Sequence, residues 1–154
     1  MEIRYRKAES QDEAAIRQLF VEMLQTIYRR KTVEGYPPGY LNRFFSGGTD
    51  CIYVAETSDG IVGFLSLECH RQDGAPFVYV DDFSVGAPFR GKGIGSHLLD
   101  LAERYATEQG IGELHLHVER ENQQARHLYA RRGFMILEET ATRLLLGKTL
   151  ETNL

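Results

Sequence analysis

Phe77-Val78-Tyr79-Val80-Asp81-Asp82-Phe83-Ser84-Val85-Gly86-Ala87-Pro88-Phe89-Arg90-Gly91-Lys92-Gly93-Ile94-Gly95-Ser96 is the stretch whose reading decides the fold. Phe77 to Val85 read as one strand, ended by Gly86-Ala87-Pro88 because proline cannot donate to a strand ladder. A tight glycine turn follows. A helix then opens near Ile94, with Leu98, Leu101, Ala102 and Tyr105 as its apolar stripe and Gly110 as its stop. This sequence of elements suits an anion, since glycines let the backbone approach closely and helix N–H groups, with the dipole, attract phosphate. Arg90 and Lys92 add positive charge. A dinucleotide fingerprint is excluded because Ser96 stands where the third glycine belongs, and no nucleotide-triphosphate G-x-x-x-x-G-K-[ST] is present. The plain alternative is a glycine turn that binds nothing.

Outward from this stretch, Ile3 to Ala8 predicts a first strand. Ser10 and Glu13 form a capping-box pattern before a helix striped by Ile16, Leu19, Phe20, Met23, Leu24 and Ile27. From Arg29 to Gly48 the order breaks at Pro37-Pro38 and Gly47-Gly48. Tyr36, Tyr40, Leu41, Phe44 and Phe45 lie there, and a loop with a short second helix is expected. Ile52 to Glu56 and Ile61 to His70 read as strands joined by the turn Ser58-Asp59-Gly60. Downstream, Leu114 to Glu119 is a strand with Leu114, Leu116 and Val118 on one face and His115 and His117 on the other. Asn122 can cap a helix through Arg132, with Gly133 as its left-handed terminator. Phe134 to Glu138 and Arg143 to Leu150 are the last strands. The sum is a mixed sheet, parallel where helices separate strands and antiparallel at hairpins. No repeat or linker interrupts it, so one domain over residues 1–154 is expected.

A chain of 154 residues can bury one core without disulfides or metal. Cys51 and Cys69 lack metal or redox spacing and are expected reduced, in the core or on strands. His115-x-His117 lacks further ligands at suitable spacing, so no metal is expected. No apolar run reaches membrane-spanning length, and Met1-Glu2-Ile3-Arg4 opens no signal-peptide pattern. No membrane partner is expected, and the cytoplasm is the default location. A net charge of −4 argues against nucleic-acid binding. Its distribution is more informative: between Asp50 and Val85 stand seven acids (Asp50, Glu56, Asp59, Glu68, Asp73, Asp81, Asp82) against one base, Arg71. An acidic stretch running into a basic glycine loop can seat a cationic reactant beside an anionic one.

On these residues the sequence resembles the GNAT superfamily of N-acetyltransferases. Arg90-x-x-Gly93-x-Gly95 is similar to that family's R/Q-x-x-G-x-G/A cofactor signature, and Val80 to Val85 look like its cofactor-binding strand. Val118, Asn122, Ala125, Tyr129 and Gly133-Phe134 follow as a second motif. The resemblance covers nearly the whole chain. It implies an α/β (α+β mixed) fold, a mostly antiparallel seven-stranded sheet with helices on both faces. It also implies acetyl-CoA as cosubstrate. Backbone groups of Phe83, Ser84 and Val85 would pair with the pantetheine arm. N–H groups of Gly91, Lys92, Gly93, Ile94, Gly95 and Ser96 would hold the pyrophosphate, with Arg90 beginning the turn. Asn122 and Ala125 would touch the cofactor, and Tyr129 would reach the sulfur. Within the superfamily the nearest likeness is to diamine and polyamine acetyltransferases, whose acidic pair precedes the motif arginine as Asp81 and Asp82 do here.

Acetyl transfer to an amine poses two proton problems. An alkyl amine with pKa near ~10.4 is neutral in roughly one molecule per thousand at pH 7, so a base is needed. Asp81 and Asp82 point to opposite faces of a strand, and the family position favours Asp81. Asp82 is either supporting or exposed, and Glu68 on the neighbouring strand is the next candidate, with water as a further one. The departing thiolate needs an acid, and Tyr129 at an ordinary phenol pKa of about 10 is roughly 1.5 units weaker than a thiol. Its alternative reading is a core tyrosine beside Ala125 and Leu128. The region from Tyr36 to Phe45 either packs onto the sheet or walls the acceptor pocket, as it often does in the family.

The expected acceptor is a small primary amine, cationic or, given Arg29, Arg30 and Lys31, zwitterionic. The alternatives are a protein N-terminal or lysine acetyltransferase, or a non-catalytic acyl-CoA-binding module, which would need neither Tyr129 nor a strand carboxylate. A homodimer paired through the last strand is compatible with each.

Overall fold

The structure is a computed structural model and describes residues 2–151, Asp73 by its backbone alone. Its strands are β1 (Arg4–Lys7), β2 (Cys51–Thr57), β3 (Gly60–His70), β4 (Phe77–Val85), β5 (Glu113–Glu119), β6 (Met135–Glu139) and β7 (Arg143–Thr149). They hydrogen-bond in the order β1-β2-β3-β4-β5-β7-β6. The α-helices are α1 (Glu13–Tyr28), α2 (Ile94–Glu108) and α3 (Gln123–Arg131). Contacts group the chain into two compact units, one of Met1–Leu67 with Asp82–Leu101, the other of Glu68–Asp81 with Ala102–Leu154. Every recorded pairing is antiparallel except that of β4 with β5, giving the mixed, mostly antiparallel seven-stranded sheet expected.

In the first unit the core gathers Ile16 and Leu19 of α1 with Ile52, Val54 and Phe64 of β2 and β3. Val54 faces Phe64 across the ladder, so alternate residues of both strands serve one side. The α1 stripe outlasts that core, since Ile27 is 52% exposed. Two local expectations are corrected. The capping pattern at Ser10 and Glu13 gives way to a 3-10 turn at Ser10–Asp12, in which the Asp12 carboxylate accepts the Glu9 N–H at 2.8 Å. Asp12 wins because Arg6 also clamps it, at 2.7 Å, together with Glu56 at 3.0 Å. The Arg6 hydrogen bonds hold the carboxyls of Asp12 and Glu56 below the usual carboxylate range. The expected second helix is only a 3-10 turn, Asn42–Phe45, because Pro37, Pro38 and a left-handed Gly39 (φ +79°) leave no room for more. The turn and its apolar neighbours still enter the core, Tyr36, Leu41 and Phe44 being buried.

In the second unit β5 runs parallel to β4, with Val78 opposite Leu114 and Val80 opposite Leu116. Leu114, Leu116 and Val118 are buried and His117 is exposed, which matches the alternation read from the sequence. The C-terminal strand is not an edge: β7 inserts between β5 and β6, using both its sides. The edge on this side is β6, which shows Met135, Ile136 and Leu137 to solvent at 71%, 49% and 48%. Glu103 of α2 receives Arg132 and Lys148, each at 2.9 Å. On α2 the buried face takes in Leu99 and Ala106 beside Leu98, Ala102 and Tyr105, while Leu101 is only half-buried. Cys51 and Cys69 lie on β2 and β3 and form no disulfide.

Candidate active site

In the first unit β4 ends at Val85 and the chain turns through Gly86 to Arg90 into the glycine loop. Arg90 is exposed, and its Nε donates to the Val85 carbonyl at 2.9 Å and splints the turn. Gly91 and Gly93 follow at φ +76° and +84°, a region that only glycine enters at no steric cost. A methyl group at Gly95 would come within 3.2 Å of the Phe83 ring, so glycine there lets α2 settle against β4. The first helical bond runs from the His97 N–H to the Gly93 carbonyl at 3.1 Å. Among the described residues the N–H groups of Gly91 to Ser96 donate to no protein acceptor. Gly91, Lys92 and Gly93 are exposed, whereas Ile94 is anchored in the core with 1% exposed. A pyrophosphate fits this place: open glycine backbone, orphan donors and a helix N-terminus. Beside it a groove of about 440 Å³ runs between α1 and the chain from Ser84 to Arg90. The β4–β5 ladder covers Val78 to Val80.

The acidic pair divides. Asp82 lies in the first unit, where its carboxylate accepts the Tyr36 hydroxyl at 2.6 Å and its N–H donates to the Ser66 hydroxyl at 2.9 Å. Asp81 lies in the second, among groups that sequence reading had not joined. Tyr79 and His117 face each other from β4 and β5, hydroxyl to Nδ1 at 2.5 Å. Burial raises the Tyr79 phenol; the Arg143 cation opposes this, and the charges of Asp81 and Glu68 add to it. Burial and Arg143 lower the His117 imidazole below its ordinary value, which keeps it neutral at pH 7. Tyr79 thus brings Asp81, Glu68, Arg143 and His117 into one electrostatic neighbourhood. The signal available in the sequence was the pair of alternations, with Tyr79 and His117 both on polar faces of strands expected to run parallel.

On α3 the Asn122 side chain is the N-cap, its Oδ1 accepting the Ala125 N–H at 3.1 Å. Both expected cofactor contacts therefore meet in one capping bond. Tyr129 is buried, edge-on to Phe134 with ring centres 5.6 Å apart. Burial pushes its phenol up to about 12, above the ordinary value used for the sequence reading. The burial and the raised phenol are what a core tyrosine shows.

Among the described residues no three His, Cys, Asp or Glu side chains gather to hold a metal. No helix among them is long and apolar enough to cross a membrane. Compared with known proteins, N-acetyltransferase YycN of Bacillus subtilis (strain 168) is 36% identical over 74 residues, 48% of this chain and 47% of that protein. The chain thus spans about half the length of that relative. N-acetyltransferase YhfO of the same strain is 29% identical over 131 residues, 84% of this chain and 87% of that protein. The PaiA N-acetyltransferase of Thermoplasma acidophilum, solved with coenzyme A, is similar in fold, with a TM-score of 0.78 over 97% of this chain and 99% of that one at 19% identity. Residues 15–134 match the acetyltransferase (GNAT) family. With most of its length inside that match, the chain belongs to the GNAT family of acetyltransferases.

Proposed function

We propose that the chain is an acetyl-CoA-dependent N-acetyltransferase that passes the acetyl group directly to a small primary amine. The observation that carries this reading is the run of N–H groups from Gly91 to Ser96, which head α2 without protein acceptors. These would hold the pyrophosphate, with backbone groups of Phe83, Ser84 and Val85 along the pantetheine arm and Asn122 and Ala125 touching the cofactor. Acetyl-CoA supplies a thioester carbon open to attack by an amine. The chain's own residues handle the protons. Asp81 attracts the ammonium group, and the Tyr79 oxygen accepts its proton while the phenol proton passes to neutral His117. Asp81 acting alone or through water is the simpler version of the same step. Tyr129 is the proton donor to the thiolate. From a phenol at about 12 the transfer to an ordinary thiolate is uphill by about 5 kcal/mol. Burial that raises the phenol raises a thiol in the same surroundings and narrows that gap.

For the acceptor, the acid excess counted in the sequence is partly neutralised. Glu56 is held by Arg6 at 3.0 Å, Asp50 faces Arg43 at 3.5 Å, and Asp82 binds Tyr36. Glu68, which also meets His70 at 3.2 Å, and Asp81 set negative charge around Tyr79, where a cation would be drawn. A single amine, cationic or zwitterionic, suits this better than a polyamine held by the Asp81–Asp82 pair. A protein N-terminus or lysine would use the same chemistry. A silent acyl-CoA binder would need no proton relay. The exposed edge β6 is the surface a homodimer would use.

Thiol-release kinetics with acetyl-CoA test the reading on matched neutral, cationic and zwitterionic amines and on peptides, at low and high salt. Charged small amines should have the higher kcat/KM, with the advantage shrinking as salt rises. Absence of CoA binding by calorimetry would overturn the central claim. Turnover of peptide N-termini alone would move the acceptor to proteins.

A further inference from the structure

We infer that Tyr36 and Asp82 form a latch that fixes the segment between α1 and β2 against β4 and thereby sets the affinity for the acceptor. This rests on the acetyl-transfer reading above. Tyr36 is 8% exposed and lies in a three-ring stack, 3.8 Å from Phe20 and 4.9 Å from Tyr40 between ring centres. Its backbone is held as well: Arg17, itself paired with Glu13 at 2.8 Å, donates to the carbonyls of Tyr36 at 2.7 Å and Pro37 at 3.2 Å. Packing alone would be served by phenylalanine. A hydroxyl in such a stack needs an acceptor, and the one it meets is a carboxylate at 2.6 Å, a charge-assisted bond of the stronger kind. That carboxylate belongs to Asp82, which Ser66 holds from the other side at its N–H and carbonyl. Asp82 immediately precedes Phe83, the first residue of the edge assigned to the pantetheine arm. The latch therefore ties an irregular segment to the strand position nearest the reacting end of the cofactor, where an amine must be presented. Tyr36 and Asp82 are positioning residues on this reading, and neither exchanges a proton with the amine.

The test compares Tyr36→Phe and Asp82→Asn in the full chain, reading KM for the amine, kcat, and calorimetric CoA affinity. Asparagine keeps an oxygen for the Tyr36 hydroxyl but loses the charge, so Asp82→Asn should raise KM for the amine about threefold, less than Tyr36→Phe, with kcat and CoA affinity within about twofold. Tyr36→Phe should raise KM for the amine about tenfold, with kcat and CoA affinity within about twofold. An unchanged KM in an active Tyr36→Phe enzyme overturns the latch. So does a KM increase that is larger in Asp82→Asn than in Tyr36→Phe, which would make Asp82 a direct ligand of the amine. A loss of CoA affinity and kcat together in Tyr36→Phe would assign the pair a purely structural role and also overturn it. A wild type that releases no thiol with any amine overturns the transfer reading itself, a result distinct from the other three.

Discussion

The glycine loop ahead of α2 and the polar neighbourhood around Tyr79 are built on opposite plans. The loop works with backbone: its recognition groups are the N–H donors of Gly91 to Ser96, and its side chains are absent, splinting or sunk in the core. The Tyr79 neighbourhood works with side chains from three strands and from β7, whose burial and charges shift the proton affinities of Tyr79 and His117. A backbone site fails when its conformation is lost. A side-chain site fails one proton at a time. Mutations should therefore separate binding from turnover along this division.

The largest effect is expected at the proton donor. Tyr129→Phe should lower kcat by roughly 10- to 1000-fold with CoA affinity nearly unchanged, measured by single-turnover kinetics and calorimetry. Full kcat in that variant would return Tyr129 to the core. Next comes the relay. His117→Ala should lower kcat/KM about 100-fold and remove an acid limb that in wild type lies below the ordinary imidazole pKa, because the imidazole is lowered. Arg143→Ala should move that limb upward, since the cation helps to hold it down. A pH profile identical in all three proteins would leave Asp81 as base, directly or through water.

A third measurement concerns stability. The Tyr129 phenol is raised from 10.0 to about 12 in the fold, so its neutral form is favoured there. The sign follows: this contribution is complete below pH 10 and is lost as pH rises through 12, roughly 3 kcal/mol in all. Alkaline denaturation should show that loss in wild type and not in Tyr129→Phe. The smallest effect is at the loop, where Gly93→Val should weaken CoA by roughly 2 kcal/mol through the left-handed backbone and blocked approach, leaving kcat at saturation close to wild type. A drop in kcat without a drop in affinity would blur the two plans.

The same division decided what could be read from sequence. The strand from Phe77 to Val85, the turn and the head of α2 were legible because glycine, proline and apolar spacing act locally. Asn122 as a cap and Gly133 as a terminator were legible for the same reason. The short helix expected between Arg29 and Gly48 is a single 3-10 turn at Asn42–Phe45, while Tyr36, Leu41 and Phe44 reach the core by tertiary packing. Asp12 displaced Ser10 and Glu13 because Arg6 reaches it from β1, six residues earlier. Tyr79 and His117 were illegible as a pair because 38 residues separate them and only strand pairing joins them. The burial of Tyr129, and with it the rise of its phenol, is likewise a property of the assembled unit.

Arg90 shows what its own position in the motif can tolerate. Its Nε–H serves the Val85 carbonyl, so one feature in use there is a directed N–H. Glutamine carries such a donor on a shorter arm, which gives a physical reason for a signature that admits arginine or glutamine there. The bond goes to a neutral carbonyl and leaves the guanidinium charge in place, so Arg90 splints the turn while adding to the positive potential of α2 and Lys92.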